Sequence, residues 1–232
     1  MVTPSSRRAI PFSRVARELH VGDVLLFRPR SAPGWRKLDP RTWKGAAIGA
    51  AITAHGRSRY CHAALYAELR HRPVALEMVE GVGGRVKLLA RYLRTHGGLI
   101  DAYRVAPPKT FGRDGPIGYY GPTAADRMLD LVEHPYGYGA VLAAFGLRLP
   151  GLRKLVRGFD DDLSNSDDGG WPPFCSAAVA DAVRHGGVDL VPNAADKVTE
   201  PGDLGRSALL TYVGTLAGPA PIAKRAAKGA RR

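Results

Sequence analysis

The run from Trp171 to Gly187 constrains this chain more than any other stretch. Pro172 and Pro173 hold the approach extended. An alanine-rich segment follows, and alanine is the best helix former. Gly186 and Gly187 then supply a helix stop. The pattern predicts a helix with Cys175 at its first position or one residue before it. Cys175, Ala178, Val179, Ala182 and Val183 share one helical face, so the thiol lies on the packed side. A helix start presents unpaired N–H groups and partial positive charge. Both favour a thiolate, and the same N–H groups can receive a developing oxyanion. A buried structural cysteine is the competing reading of this stretch alone.

The second informative stretch is Tyr60-Cys61-His62-Ala63-Ala64-Leu65-Tyr66-Ala67-Glu68-Leu69, followed by Pro73 to Glu80. It reads as an antiparallel hairpin turning near Arg70 and His71. Period-two alternation puts His62, Ala64 and Tyr66 on one face and Cys61, Ala63 and Leu65 on the other. Cys61 is therefore assigned to packing. With a loop from Glu68 to His71, Ala67 faces Arg72 and His62 faces Glu77; registers shifted by two keep His62 and Glu77 on one face. A carboxylate beside an imidazole orients the ring and favours its charged form. Glu80 is the competing carboxylate, on the opposite face by parity unless the strand bulges at Gly81.

Elsewhere the pattern alternates strand, helix and loop. Val21 to Phe27 reads as a turn and strand, Thr42 to Ala54 as a helix, and Gly81 to Val86 as a glycine-rich turn. Lys87 to Thr95 reads as a short helix or strand with helix, and Leu99 to Val105 as a strand. Pro107 to Pro122 is loop. Thr123 to Glu133 is an amphipathic helix capped by Thr123. Ala140 to Leu149 begins another helix. The aspartates from Asp160 to Asp168 form a solvated loop, Thr199 to Leu204 a turn, and Ala208 to Leu216 a closing strand.

The 232 residues suffice for one sizeable core. A formal charge of +13 suits an acidic partner, such as nucleic acid, anionic lipid or an anionic wall polymer, or simply a solvated surface. Lys224, Arg225, Lys228, Arg231 and Arg232 crowd the end as a basic tail. No nucleic-acid motif is present, which argues against that partner. No apolar run is long enough to span a bilayer. Arg7 and Arg8 lead into no apolar signal region, so a cytoplasmic or phage-associated location without a signal peptide is expected. Cys61 and Cys175 are the two cysteines. A bridge between them would disable a thiol nucleophile and does not suit a chain lacking a secretory signal.

Taken in order, the motifs are Gly22-Asp23 before a strand, Cys61-His62-Ala63-Ala64-Leu65, Glu77, Tyr136-Gly137-Tyr138, Phe174-Cys175-Ser176 opening a helix, and Pro201-Gly202-Asp203-Leu204. Over roughly residues 18–215 this resembles the circularly permuted branch of the NlpC-type papain-like cysteine hydrolases, the YiiX-like group. There the histidine strand precedes the cysteine helix, as it does here. The resemblance implies Cys175 as nucleophile, His62 as general base and acid, Glu77 as the residue orienting His62, and Tyr136 or Tyr138 near the cleft. It also implies action on amide bonds of cell-wall peptides or acyl bonds of lipids.

The expected fold is α+β, a permuted papain-like arrangement with a mostly antiparallel sheet packed on the Cys175 helix. Residues 1–17 form a basic lead-in, 18–216 the domain and 217–232 the tail. The leading functional expectation is a cysteine hydrolase cutting an amide bond of a peptidoglycan stem peptide, with no cofactor and an oligomeric state left open. A lipid acyl hydrolase or acyltransferase is the alternative substrate class. A non-catalytic binding or phage-particle component is the alternative without chemistry. A metal site from His62, Glu77 and Cys175 is disfavoured, because no ligand pair has the short spacing of zinc sites.

Overall fold

A computed structural model describes residues 9–29, 53–54, 56–96, 98–106, 111–112, 115–116, 119–137 and 172–217. Its strands are β1 (Ala9–Pro11), β2 (Val24–Arg28), β3 (His62–Leu69), β4 (Arg72–Val79), β5 (Gly83–Leu88), β6 (Leu99–Val105), β7 (Phe111–Gly112), β8 (Gly115–Pro116) and β9 (Leu210–Ala217). Its helices are α1 (Val15–Glu18), α2 (Leu89–Thr95), α3 (Gly121–Asp130), α4 (Cys175–His185) and α5 (Pro201–Leu204). Seven strands form one sheet in the order β1-β9-β6-β2-β3-β4-β5. All its neighbours are antiparallel except β1 and β9. The α+β class and the mostly antiparallel sheet are those expected.

Alternation along the strands builds two cores. On one face Leu26, Ala63, Leu65, Leu76 and Met78 pack beneath α3 and α4. On the other, Phe27, Ala64, Tyr66 and Ala75 pack with Val15 of α1 and Leu89 and Tyr92 of α2. The apolar stripe of α4 follows its spacing: Ala178, Val179, Ala182 and Val183 are all buried. Fully burying a valine-sized side chain contributes roughly 1.5–3 kcal/mol, so this stripe anchors the helix to the sheet.

Several boundaries differ from expectation, each for a local reason. The hairpin turn is tighter than a four-residue loop. Arg70 and His71 both take positive φ, 50° and 61°, and Leu69 pairs with Arg72. A two-residue turn with both central residues left-handed matches the twist of the flanking strands. The register is therefore shifted by two from the one expected: Ala67 faces Val74, not Arg72. Parity is unchanged, so His62 and Glu77 are diagonal neighbours and not directly opposed.

The glycine-rich segment gives way to β5 already at Gly83. Gly84 permits this, because a Cβ there would lie 1.7 Å from the Leu131 carbonyl oxygen. Helix α3 starts at Gly121 with Tyr120 as N-cap, so Thr123 is inside it and caps nothing. Pro122, in the first turn, supplies the helical φ instead. Residues 9–17 also belong to the packed unit, since Ile10 and Val15 are buried in the α2-side core. The Thr199 to Leu204 turn includes α5, whose capping box joins Glu200 and Asp203. The helix expected at Ala140 to Leu149, the expected aspartate loop and the expected basic tail beyond Ala217 lie outside the described residues, as does most of the segment Thr42 to Ala54 read as a helix.

Candidate functional site

Cys175 is the first residue of α4, with extended Phe174 as N-cap. The helix ends at His185 with Gly186 as its C-cap, and Gly187 supplies the left-handed residue, at φ 100°. The start of α4 is held from two sides. Ser176 Oγ donates to the Thr199 carbonyl at 2.7 Å. Gly137 N–H donates to the Pro173 carbonyl at 3.1 Å, and a Cβ on Gly137 would meet the Pro172 carbonyl oxygen at 1.7 Å. Only glycine permits this approach. It brings Tyr136, half-buried, against the cluster of Phe174, Cys175 and Ala177. Tyr138 lies outside the described residues.

His62 opens β3 opposite Phe27 of β2, and the two rings meet at 5.0 Å, tilted by 59°. The β3–β4 ladder begins only at Leu65 and Leu76. The opening residues of β3 therefore lie beyond the paired part of the hairpin. There the Cys175 thiol stands beside the His62 ring, and the Ala63 and Ser176 N–H groups act on it from the backbone. On its other side, His62 Nε2 is 2.6 Å from Glu77 Oε2. With Nε2 committed to the carboxylate, Nδ1 is the nitrogen left for the sulfur. His62 thus links a carboxylate on the α2 side of the sheet to a thiol carried by a helix on the opposite side.

Glu77 is buried in the middle of β4, and its hydrogen-bond partners among the described residues are all donors. His62 and the Tyr92 hydroxyl, at 2.8 Å, share Oε2. The Arg85 guanidinium lies on Oε1 at 2.9 Å, reaching across from the directly opposed position of β5. Burial alone would raise the Glu77 pKa; the bond and charge of His62, the charge of Arg85 and the Tyr92 hydroxyl bring it down to about 2.

The thiol and imidazole shift in opposite directions. Burial opposes a charged Cys175, yet the His62 charge, the bond to His62 and the Ala63 and Ser176 N–H groups leave its pKa lowered. Burial likewise opposes a charged His62, but the Cys175 thiolate and Glu77 push it up to about 10. Both shifts favour the ion pair, a thiolate beside an imidazolium, over the neutral pair. Cys61 contrasts with it: burial, then the nearby Cys175 charge, push that thiol up to about 12. Its sulfur faces the Phe27 carbonyl oxygen at 3.5 Å, and both cysteines are free thiols.

Arg85 and Tyr92 were not among the residues singled out from sequence. Arg85 could have been found, because reading Gly83 onward as a strand places it beside Glu77. Tyr92 arrives from α2 through packing and leaves no comparable signal. A second buried network occupies β6: Asp101 accepts from Arg28, from Tyr60 at 2.9 Å and from Thr215 at 2.5 Å.

No family model matches the chain, and no curated protein does. Among solved structures, the fold is similar to that of the metalloprotein yiiX from Escherichia coli O157:H7. The identity is 16% and the TM-score 0.50, with 85% of this chain and 97% of that one covered. At this identity the likeness concerns the fold. In this chain, no group of three or more His, Cys, Asp or Glu side chains among the described residues could hold a metal ion. The Glu77 oxygens are instead occupied by Arg85, Tyr92 and His62. Among the described residues, no helix is long and apolar enough to cross a membrane.

Proposed function

We propose that this chain is a thiol-dependent hydrolase with a permuted papain-like arrangement, in which Cys175 is the nucleophile, His62 the general base and acid, and Glu77 the residue that orients His62. The supporting observation is the series of the Cys175 thiol beside the His62 ring, whose Nε2 is hydrogen-bonded to the Glu77 carboxylate at 2.6 Å. In this reading the thiolate attacks an amide or ester carbonyl carbon. The oxyanion forms against N–H groups at the start of α4. His62 gives its proton to the leaving amine or alcohol as the tetrahedral intermediate collapses to an acyl-thioester. His62 then takes a proton from water, the hydroxide releases the acid, and the thiolate returns. Glu77 keeps the ring in the tautomer that presents Nδ1 to sulfur.

The substrate we favour is an amide bond in a peptidoglycan stem peptide, since the +13 charge suits an anionic wall. Purified sacculi and phospholipid vesicles should be incubated with the protein and with Cys175→Ala. New amino groups from sacculi, absent with the variant, are the expected result. Fatty acid released from vesicles would move the substrate to lipid. Turnover retained in Cys175→Ala would refute the mechanism.

A further inference from the structure

Glu77 is held by more than its bond to His62. It is surrounded by His62 from β3, Arg85 and Lys87 from β5, Tyr92 from α2 and His96 just beyond α2. Of these, His62, Arg85 and Tyr92 touch the carboxylate. Lys87 instead rests its ammonium over the Tyr92 ring, 3.8 Å from the centroid. His96 is tied to the Arg28 carbonyl at 3.1 Å. Among the described residues, Arg85 therefore brings the one permanent positive charge in direct contact with a carboxylate whose side chain has no exposed surface. Its position is dictated by strand register, because Glu77 and Arg85 are directly paired. Tyr92 fixes the other oxygen, sharing Oε2 with His62.

We propose that Arg85 and Tyr92 are positioning residues for the reacting pair: they hold Glu77 as a carboxylate with Oε2 turned to His62, and Arg85 sets how far the pH can fall before Cys175 loses its thiolate. This rests on the reading of Cys175 and His62 as a reacting pair. Without the guanidinium, a buried carboxylate takes up a proton at higher pH. The imidazolium then loses its anionic partner, gives up its charge more readily, and no longer stabilises the thiolate. The acid limb of thiol reactivity must therefore move to higher pH. A lysine keeps the charge but not the two-pronged geometry, so it restores part of the effect.

The experiment is the pH dependence of iodoacetamide labelling at Cys175, read by mass spectrometry on the full chain; it needs no substrate. Arg85→Gln should move the acid limb up by about one pH unit, a tenfold loss of rate at a fixed pH on the limb. Arg85→Lys should lie closer to the parent than to Arg85→Gln. Tyr92→Phe should move the limb in the same direction by less, and it serves as the test if Arg85→Gln does not fold. An unmoved limb, or equal slowing at every pH, overturns the inference while the parent thiol remains fast. A parent Cys175 labelled no faster than free cysteine overturns the functional reading itself.

Discussion

Replacing Glu77 by Gln tests the electrostatics of the site with almost no change of shape. The amide has the size and charge of a protonated glutamate, so the variant lacks whatever the ionised form contributes. The Glu77 pKa falls from 4.5 to about 2 on folding, which at 1.36 kcal/mol per unit corresponds to about 3 kcal/mol of stability. Because the folded pKa is depressed, that stability is present above about pH 4.5 and is lost as the pH falls through about 2. The amide also sets an NH2 group against donors, either His62 and Tyr92 or Arg85. That penalty does not vary with pH across this range, so the diagnostic quantity is a slope. Urea denaturation of parent and variant across a pH series supplies it. Below about pH 6, where His62 is charged in parent and unfolded chain alike, the gap should be level down to about pH 4.5 and then shrink on acidification by up to about 1.4 kcal/mol per pH unit. A gap that stays level from about pH 6 down to about pH 3 would refute the argument, since a one-proton difference between those limits demands that slope.

Two further substitutions probe what holds the site in place. Gly137→Ala forces a Cβ against the Pro172 carbonyl oxygen, so the segment leading to Cys175 must shift. A loss of about 1–3 kcal/mol in urea denaturation, with slower Cys175 labelling, is expected; parent-like values in both would refute the close packing. Asp101→Asn leaves the Arg28 side chain, only 9% exposed, without its carboxylate. It should cost about 3–5 kcal/mol, and a loss below about 1 kcal/mol in the same assay would show that Arg28 is already satisfied elsewhere.

Local patterns in the chain were enough to place Cys175 at a helix start. Two prolines, an alanine-rich run and a pair of glycines act over neighbouring residues and need no distant partner. The shared parity of His62 and Glu77 was legible in the same way. Side-chain alternation survives any register shift of two, which is why an incorrect turn length left that parity intact. The stripe from Ala178 to Val183 likewise follows helical spacing, and all of its members are buried.

The turn itself was less legible. Arg70 and His71 are not the usual residues for positive φ, and the strands on either side impose that conformation. Arg85 depended on recognising β5, which the glycines before it obscure, and Tyr92 on where α2 packs. Which face of the sheet each helix covers is a property of the assembled core. The sequence by itself determined the helix start that favours a thiolate and the alternation that pairs an imidazole with a carboxylate, because both are set by neighbours along the chain. Only the tertiary structure decided that the thiol and carboxylate flank one imidazole from opposite faces of the sheet. That depends on two helices packing independently on the two faces, and no periodicity encodes it.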